Sequence, residues 1–380
     1  MNSQLLMSLL AALCALATTG WSTTMAQQIV YIASPAGDGK GGIFIATLDT
    51  QAGGLSDLRK VAEETGSFLA LHPNGRFLYS VGGAAGKPHG LVRAYAIDAA
   101  SRGLTLLNEQ SSGGGGPCHL AVDPSGKCLI AVNYGGGNFS SLPIDADGRL
   151  RAPAATVQHE GKGPNPKRQG EPHPHSVNFS PDGKIALIAD LGIDRIKLYD
   201  VDAAAAKVKP HDPADAPTPP GAGPRHLAFS PDGKFAYVSG EMTSTVIAYS
   251  WDGKRGALTE IQSVSSLPGD YAQADENTTS EVAVHPSGTF VYVANRGHDS
   301  IAAFEVAAGG KLSLSWIVPT LGKVPRHFAV DPSGRWMLIA NQDSDNVTIY
   351  GLDPASGKFG LPVEPPLDIE QPMCVLFTRD

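Results

Sequence analysis

The chain has 380 residues, of which 17% are charged and 7% aromatic, and its formal net charge at pH 7 is −8. This acidic balance argues against nucleic acid or an anionic membrane as a partner held by bulk electrostatics. The length exceeds that of a usual single domain but suits a closed β architecture, and the 44 glycines and 29 prolines supply the turns that many short strands need.

The N-terminus carries an apolar run over residues 5–17 that is too short to span a bilayer. Thr24 and Ala26 place small residues before a cleavage point. We predict that residues 1–26 are a secretory signal peptide and that residues 27–380 form a single periplasmic or secreted domain without membrane contact. A membrane anchor and a misassigned start codon are the alternatives.

A four-residue turn motif recurs six times along the rest of the chain. Its second position is proline, which pre-sets φ, and its fourth is glycine, which accepts positive φ. The six prolines are separated by 46 to 57 residues and are Pro73, Pro124, Pro181, Pro231, Pro286 and Pro332. Short β-rich runs flank each turn, such as residues 227–229 and 235–238, and two further runs follow. A repeat of this length and content predicts propeller blades rather than a helical solenoid.

The two ends of the chain each carry part of one more repeat. Residues 29–34, 42–49 and 54–62 resemble second, third and fourth strands, and residues 373–377 resemble a first strand. Joining them closes the ring and removes exposed sheet edges. We therefore predict an all-β fold, a seven-bladed β-propeller with four antiparallel strands per blade and one blade shared between the termini. The alanine- and proline-rich residues 203–221 are predicted as a surface excursion.

The cysteines give no disulfide framework. Cys118, Cys128 and Cys374 remain after cleavage, which is an odd number without close pairing. We predict three free thiols.

The repeat also locates a candidate site, because the first strand of each propeller blade lines the central channel. Six residues before each anchor proline stand Ser67, Cys118, His175, Arg225, Ser280 and Arg326, with Met373 by analogy. Just after the second strands stand Tyr134, Leu191, Glu241, Arg296 and Gln342. One end of the channel should therefore collect charged side chains, which are seldom confined together unless they are paired or functional.

The candidate catalytic residues are those that differ between blades, as a site requires: His175, Arg225, Glu241 and Arg296. The candidate substrate-binding residues are Arg326, His173 and Gln342. Other histidines and aspartates recur at the same position in several blades, and we predict a structural role for them. His119, His226 and His327 recur one position later and should form hydrogen bonds between blades, and the aspartates of the turn motifs should be structural.

Several segments closely resemble bacterial propeller-type 6-phosphogluconolactonases, which are related to fungal carboxymuconate lactonising enzymes. The matching segments are HPHSVNFSPDG (173–183), GPRHLAFSPDG (223–233), NRGHDSI (295–301), PRH (325–327) and NQDSDN (341–346). The resemblance extends over nearly the whole chain from about residue 29 and implies a seven-bladed propeller. It also implies a site of one histidine, two arginines and one glutamate, which fall on His175, Arg225, Arg296 and Glu241.

These groups suit lactone hydrolysis. Arginine can stabilise a developing oxyanion or clamp an anion, so Arg225 and Arg296 are predicted to hold the acyl oxygen and anionic substituents. Glu241 is predicted to be the base, with His175 sharing proton transfer. The expected partner is a small-molecule lactone that is anionic or polyhydroxylated. We expect a monomer. We also expect no metal or cofactor, since no metal-ligand cluster, Walker loop, GxSxG or dinucleotide motif is present.

Two other functions stay open. A muconate-type lactonising cycloisomerase could use the same groups for carboxylate addition. A non-catalytic periplasmic binding propeller is the other, because YVAN at residues 292–295 resembles surface-layer repeats. The mixture of charges in the channel favours the enzyme. Inserted loops at residues 158–174, with Lys162, Lys167 and Arg168, and at 268–279 are expected near the mouth, as substrate-selecting loops or as solvated surface.

Overall fold

The structure is a computed structural model that describes residues 27–64, 66–83 and 89–378, so the predicted signal peptide lies outside the described residues. Its strands form seven four-stranded antiparallel sheets. Six sheets take four consecutive strands each, and the seventh joins the last strand of the chain to the first three. Within these ranges no helix has the length and apolar character needed to cross a membrane.

The strands are, in chain order, β1 Gln27–Ser34, β2 Gly42–Asp49, β3 Leu55–Ala62, β4 Phe68–Leu71, β5 Phe77–Gly82, β6 Leu91–Ile97, β7 Leu104–Ser111, β8 Pro117–Val122, β9 Cys128–Asn133, β10 Asn138–Pro143, β11 Ala155–Gln158, β12 Pro174–Phe179, β13 Ile185–Asp190, β14 Arg195–Asp202, β15 Lys207–Pro217, β16 Pro224–Phe229, β17 Phe235–Gly240, β18 Thr245–Asp252, β19 Ala257–Ser265, β20 Thr278–Val284, β21 Phe290–Arg296, β22 Ser300–Val306, β23 Leu312–Pro319, β24 Pro325–Val330, β25 Trp336–Asn341, β26 Asn346–Leu352, β27 Phe359–Asp368 and β28 Cys374–Phe377. Short 3-10 segments lie at Leu191–Ile193, Ala274–Glu276, Ala308–Gly310 and Gln342–Ser344.

We number the blades from the N-terminus. Blade 1 is β28-β1-β2-β3, and blades 2 to 7 follow in order, beginning at β4, β8, β12, β16, β20 and β24. In blade 1, Val30 of β1 pairs with Phe377 of β28, and Ala33 pairs with Cys374. The predicted seven-bladed fold and its closure by a shared blade are confirmed.

The hydrophobic core lies between the blades. Each of the seven apolar clusters joins two neighbouring sheets, as where Tyr79 of blade 2 packs in one cluster with Leu129 of blade 3. The second strand of a blade is covered on both faces, so β9 and β13 are buried throughout. Such strands read as unbroken apolar runs, whereas the outer strand β15 alternates between exposed and partly buried residues.

Carboxylates tie neighbouring blades together at the end where the second and third strands connect. Asp194 Oδ1 accepts a hydrogen bond from Gly223 N at 2.8 Å, and Asp299 Oδ1 accepts one from Val324 N at 2.9 Å. Both aspartates have positive φ, 52° and 51°, a region that aspartate tolerates better than most residues. These contacts fix the loops around the channel mouth.

The prediction for residues 203–221 is wrong in its main part. Lys207–Pro217 forms β15, the outer strand of blade 4, which pairs with β14 across a register shift between Lys197 and Tyr199. Proline cannot donate to a neighbouring strand, but on an edge strand that donor is not needed. The proline-rich sequence therefore resembled a loop, although it forms an edge strand.

Two smaller predictions are confirmed. Cys118, Cys128 and Cys374 are all free thiols. The turn aspartates are structural: Asp123 Oδ1 accepts hydrogen bonds from Lys127 N and Cys128 N, each at 2.7 Å.

Candidate active site

A pocket opens at one end of the central channel. Its walls come from six blades. They include six of the seven residues predicted to begin the inner strands at the channel: Ser67, Cys118, His175, Arg225, Arg326 and Met373. The seventh position, Ser280, is fully buried, and its Oγ donates a hydrogen bond to Pro325 O at 2.6 Å. The predicted ring therefore exists, and most of it faces one cavity.

β-Bulges place these side chains. In blade 4 the register passes from Pro174 to Ser176, which leaves His175 as the extra residue. Blade 7 likewise skips Arg326, and blade 5 is irregular between Pro224 and Leu227, around Arg225. A bulge leaves its extra residue unpaired and re-aims its side chain. The inner strands thus turn these residues towards the channel while the rest of each strand stays paired.

Glu241 is the centre of the charged cluster. It follows β17, its backbone N donates to Gly223 O at 2.9 Å, and its side chain is 5% exposed. Its Oε2 lies 3.0 Å from Arg225 Nε and 3.0 Å from Arg296 Nη2. Its Oε1 lies 2.7 Å from Nη2 of Arg168. One carboxylate therefore forms ion pairs with three guanidinium groups.

The cluster shifts the protonation equilibria of its members. Burial by itself would raise the pKa of Glu241, but Arg296, Arg225 and Arg168 together lower it to about 2. Burial lowers the pKa of Arg225 to about 9, with smaller contributions from Arg296 and Arg326. At neutral pH Glu241 is thus fully ionised, and it is a weak base because three cations stabilise its charge.

His175 is neutral and has a free ring nitrogen. Burial, together with the charge on Arg225 and further cations, lowers the pKa of His175 well below its usual value. Its Nδ1 is buried and makes no hydrogen bond to any described residue. The ring packs edge to face on Tyr134, with centroids 5.5 Å apart. An unprotonated imidazole at the pocket wall is chemically able to take a proton.

The three predicted substrate-binding residues differ in position. Arg326 lines the pocket, and no described carboxylate forms an ion pair with it. His173 lies one layer out, stacked on Tyr134 at 4.4 Å, and its Nδ1 is 2.9 Å from Tyr134 O. Gln342 begins the 3-10 segment after β25, and its Oε1 is buried without a partner among the described residues. The structure brings Arg326 together with His175 and Arg225 in the pocket, whereas His173 reaches this group only through Tyr134 and Gln342 does not line the pocket.

Sequence reasoning missed Arg168 as a member of the cluster. Burial opposes the shift, but hydrogen bonds to Glu241 and Tyr134 raise the pKa of Arg168 above its usual value. Arg168 belongs to the loop before the strand that carries His175, and the sequence signal was the basic character of that loop. Nothing in the repeat indicated that this arginine reaches Glu241 in the next blade.

A layer of aromatic rings forms the floor of the pocket. The ring of Phe68 lies 4.1 Å from that of His119, 5.3 Å from His327 and 5.7 Å from His226, measured between centroids. Phe68 belongs to blade 2, whereas His226 and His327 belong to blades 5 and 7, so the phenyl ring reaches across the axis. Phe68 and His226 of this layer line the pocket.

The recurring histidines form hydrogen bonds between blades, as predicted. His119 Nδ1 accepts from Val177 N, and His327 Nδ1 accepts from Val375 N, both at 3.4 Å. His226 Nδ1 lies 2.7 Å from Glu281 Oε2, which is also 3.2 Å from His327 Nε2. Because Nδ1 of His327 is an acceptor, its proton is on Nε2 and points to Glu281. Burial raises the pKa of Glu281.

The buried histidines predict an acid-sensitive fold. Burial lowers the pKa of His119, His175, His226 and His327, with the last at about 4. In the unfolded chain they protonate near the usual pKa of about 6.5, so the unfolded state binds more protons below that pH. The free energy of unfolding should therefore fall as pH decreases from 6.5 to 5.5, by up to about 1.4 kcal/mol per pH unit for each histidine.

Two groups act in the opposite direction. Glu281 and His211 have raised pKa values and offset at most two of the four protons. Urea unfolding at pH 7.5 and 5.5 measures the net effect, and we expect the lower midpoint at pH 5.5. An equal or higher midpoint there would contradict the buried, neutral state of the histidines.

No group of three or more histidine, cysteine, aspartate or glutamate side chains within the described ranges is arranged to hold a metal ion. Glu281, His226 and His327 are close together, but they bond to one another. Glu281 Oε2 contacts both histidines within the protein, which suits a structural role.

The chain is similar to known proteins over almost its whole length. The family described as "Lactonase, 7-bladed beta-propeller" matches residues 29–377. A Bacillus subtilis protein named 6-phosphogluconolactonase is 37% identical over 357 residues, which are 93% of this chain and 99% of that protein. One from Formosa agariphila with the same name is 35% identical over 83% of this chain and 90% of its own length. The structure of a periplasmic gluconolactonase from Pseudomonas aeruginosa superposes with a TM-score of 0.86 at 30% identity, covering 93% of this chain and 99% of that one.

Proposed function

The chain belongs to the seven-bladed β-propeller lactonase family, and we propose that it is a lactone hydrolase of the 6-phosphogluconolactonase type that opens a sugar lactone in the pocket of its central channel. The names of the relatives support the activity, and a small-molecule lactone is the substrate that they share in kind. The pocket supports the chemistry, because it combines cationic groups with a neutral base.

The observation that carries the proposal is a pair of unused polar atoms in one cavity. Arg225 Nη1 and His175 Nδ1 are buried, neither makes a hydrogen bond to a described residue, and both side chains line the pocket. Burying such atoms without partners costs free energy, and a ligand in the pocket could supply the missing partners of these two. A lactone supplies an oxygen for the guanidinium, and its attacking water supplies a proton for the imidazole.

We infer the following steps. Water attacks the acyl carbon while His175 takes its proton, and Arg225 stabilises the negative charge that develops on the former carbonyl oxygen. The bond between the acyl carbon and the ring oxygen then breaks. His175 returns the proton to the departing ring oxygen, which becomes a hydroxyl group. One lactone and one water give one hydroxy acid, and no cofactor is consumed.

This assignment gives Glu241 a different role from the predicted base. Its pKa is about 2, and three arginines occupy its two oxygens. We propose that Glu241 orients Arg225 and Arg296, whereas His175 moves the proton. An anionic substrate would also counter the cations that lower the pKa of His175 and so make the imidazole a stronger base when the pocket is filled. Arg326, His173 and Gln342 are proposed to bind the substituents of the sugar ring.

A panel of lactones tests the proposal, with turnover followed by the release of one proton per ring opened. Glucono-δ-lactone, its 6-phosphate and an aliphatic lactone cover the neutral, phosphorylated and apolar cases. We expect turnover of at least one sugar lactone. A folded protein that opens none would favour a binding propeller, and interconversion of muconate with its lactone would favour a cycloisomerase.

The proposal includes location and assembly. We propose export to the periplasm, because the N-terminal pattern is that of a signal peptide and the Pseudomonas aeruginosa relative is described as periplasmic. Protein from a periplasmic fraction that begins at Met1 would contradict cleavage. We also propose a monomer, because the closed ring pairs its own ends. A dimer mass in light scattering would contradict it.

A further inference from the structure

Arg168 differs from the other two arginines on Glu241 in facing solvent. Its side chain is 39% exposed, whereas those of Arg225 and Arg296 are 3% and 13% exposed. Nη2 of Arg168 lies 2.7 Å from Glu241 Oε1 and 3.4 Å from the hydroxyl of Tyr134. Its Nε and Nη1 groups make no hydrogen bond to a described residue. Part of a guanidinium fork is therefore free on the solvent-facing side of Glu241, whose other oxygen contacts Arg225 of the pocket wall.

The loop that carries Arg168 is fixed by its neighbour. Gln169 is fully buried, and its Nε2 donates to Leu191 O at 2.8 Å and to Asp194 Oδ1 at 2.7 Å. Its Oε1 accepts a hydrogen bond from Asn165 N at 3.1 Å. The backbone under Arg168 is thus ordered before any ligand arrives, which lowers the entropic cost of binding through this side chain.

The charge at the mouth is opposite to that of the protein. Arg168, Arg225, Arg296 and Arg326 give +4, and Glu241 gives −1, so the five groups sum to +3 in a chain of net charge −8. Glu241 Oε2 holds both inner arginines, whereas Oε1 holds Arg168. Arg168 can therefore turn towards an incoming anion without releasing Arg225 or Arg296. A guanidinium binds phosphate or carboxylate through two parallel hydrogen bonds.

From this geometry we infer that Arg168 is the specificity-determining residue of the site and that it selects sugar lactones carrying a phosphate or carboxylate group. The inference rests on the proposed lactonase function and deepens it. The anionic substituent contacts Arg168 at the mouth while the lactone ring lies deeper, beside Arg225 and His175. A neutral lactone does not draw Arg168 away from Glu241, so its binding gains no free energy from this side chain.

The test compares kcat/KM for glucono-δ-lactone, its 6-phosphate and a glucarolactone, in the wild type and in Arg168→Gln, Arg168→Lys and Lys167→Gln. Lys167 is the exposed neighbour on the same loop, so its variant makes the same charge change without touching Glu241. Hydrogen bonds to charged groups correspond to about tenfold to hundredfold in affinity. We expect Arg168→Gln to reduce the preference for an anionic lactone by about tenfold or more. Arg168→Lys should keep part of the preference, and Lys167→Gln all of it.

The decisive quantity is the ratio of kcat/KM for the anionic lactone to kcat/KM for the neutral one. Freeing Glu241 Oε1 would change kcat/KM for both lactones alike and so leave this ratio unchanged. The phosphorylated and carboxylated lactones show which anion is recognised. A ratio in Arg168→Gln within about twofold of the Lys167→Gln ratio, a factor worth less than 0.5 kcal/mol, would overturn it. So would a wild-type preference for the neutral lactone.

A binding measurement separates this inference from the proposed function. If the wild type opens no lactone, the proposed function fails, and calorimetric titration with inorganic phosphate then decides the role of Arg168. Phosphate should bind the wild type and Lys167→Gln alike and bind Arg168→Gln at least about tenfold more weakly. Equal affinities, or no binding to the wild type, would overturn the inference.

Discussion

Replacing Glu241 with glutamine should destabilise the fold by about 3–5 kcal/mol and remove most lactone turnover, because a buried ion pair that loses one partner leaves an uncompensated charge. Here the loss affects three guanidinium groups, two of which are almost fully buried. Arg225 and Arg296 would repel each other across a neutral amide and move from the positions in which we propose that they hold the substrate. The denaturation midpoint and kcat/KM should therefore fall together.

Glu276→Gln is the matched control, since Glu276 is exposed in the other inserted loop and the chemical change is the same. It should leave both quantities near wild type. A Glu241→Gln protein whose midpoint equals that of Glu276→Gln would show that the arginines do not depend on this carboxylate. Full activity in Glu241→Gln would also exclude Glu241 from the mechanism in any role.

His175→Gln should lower kcat by about 10²–10⁴-fold, the usual contribution of a general base. Glutamine keeps the approximate size and polarity but cannot accept the proton from water at neutral pH. The fold should survive, because His175 Nδ1 has no hydrogen-bond partner among the described residues and no ion pair is broken. In the wild type, activity should persist well below pH 6.5, because the lowered pKa keeps His175 unprotonated there.

His119→Gln is the control for this variant. His119 is also buried and neutral, but it packs against Phe68 and is not among the residues that line the pocket. Its kcat should stay within a few-fold of wild type. If His175→Gln retained the same kcat as His119→Gln, the proton would pass through another group, and Glu241 would return as the candidate base.

The position of the site could be predicted from the sequence because the fold repeats. Each turn motif fixes the register of its blade, so a constant offset from it finds the same place in every blade. His175, Arg225 and Arg326 were selected in this way, and all three line one pocket. Glu241 and Arg296 were selected by a second offset, and both contact the same cluster.

The role of Glu241 could not be predicted in the same way. Offsets place residues on a ring but say nothing of distances across it, and the protonation of a carboxylate depends on distances of a few ångströms. Three arginines within 3.0 Å lower the pKa of Glu241 to about 2. For that reason we propose that Glu241 orients the arginines, and the variants described above test this role against that of the predicted base.

The sequence by itself determined the number of blades, the closure of the ring by β28 and β1, and which residues face the channel mouth, because these follow from a periodic pattern of turns and apolar runs. Tertiary structure alone decided three features: the bulges that aim His175 and Arg326 inwards, the reach of Phe68 across the axis, and the arrival of Arg168 at Glu241. The last two join parts of the chain that no repeat relates. Contacts across a ring depend on side-chain length and on the path of the loops. A repeat spacing in the sequence specifies neither of these.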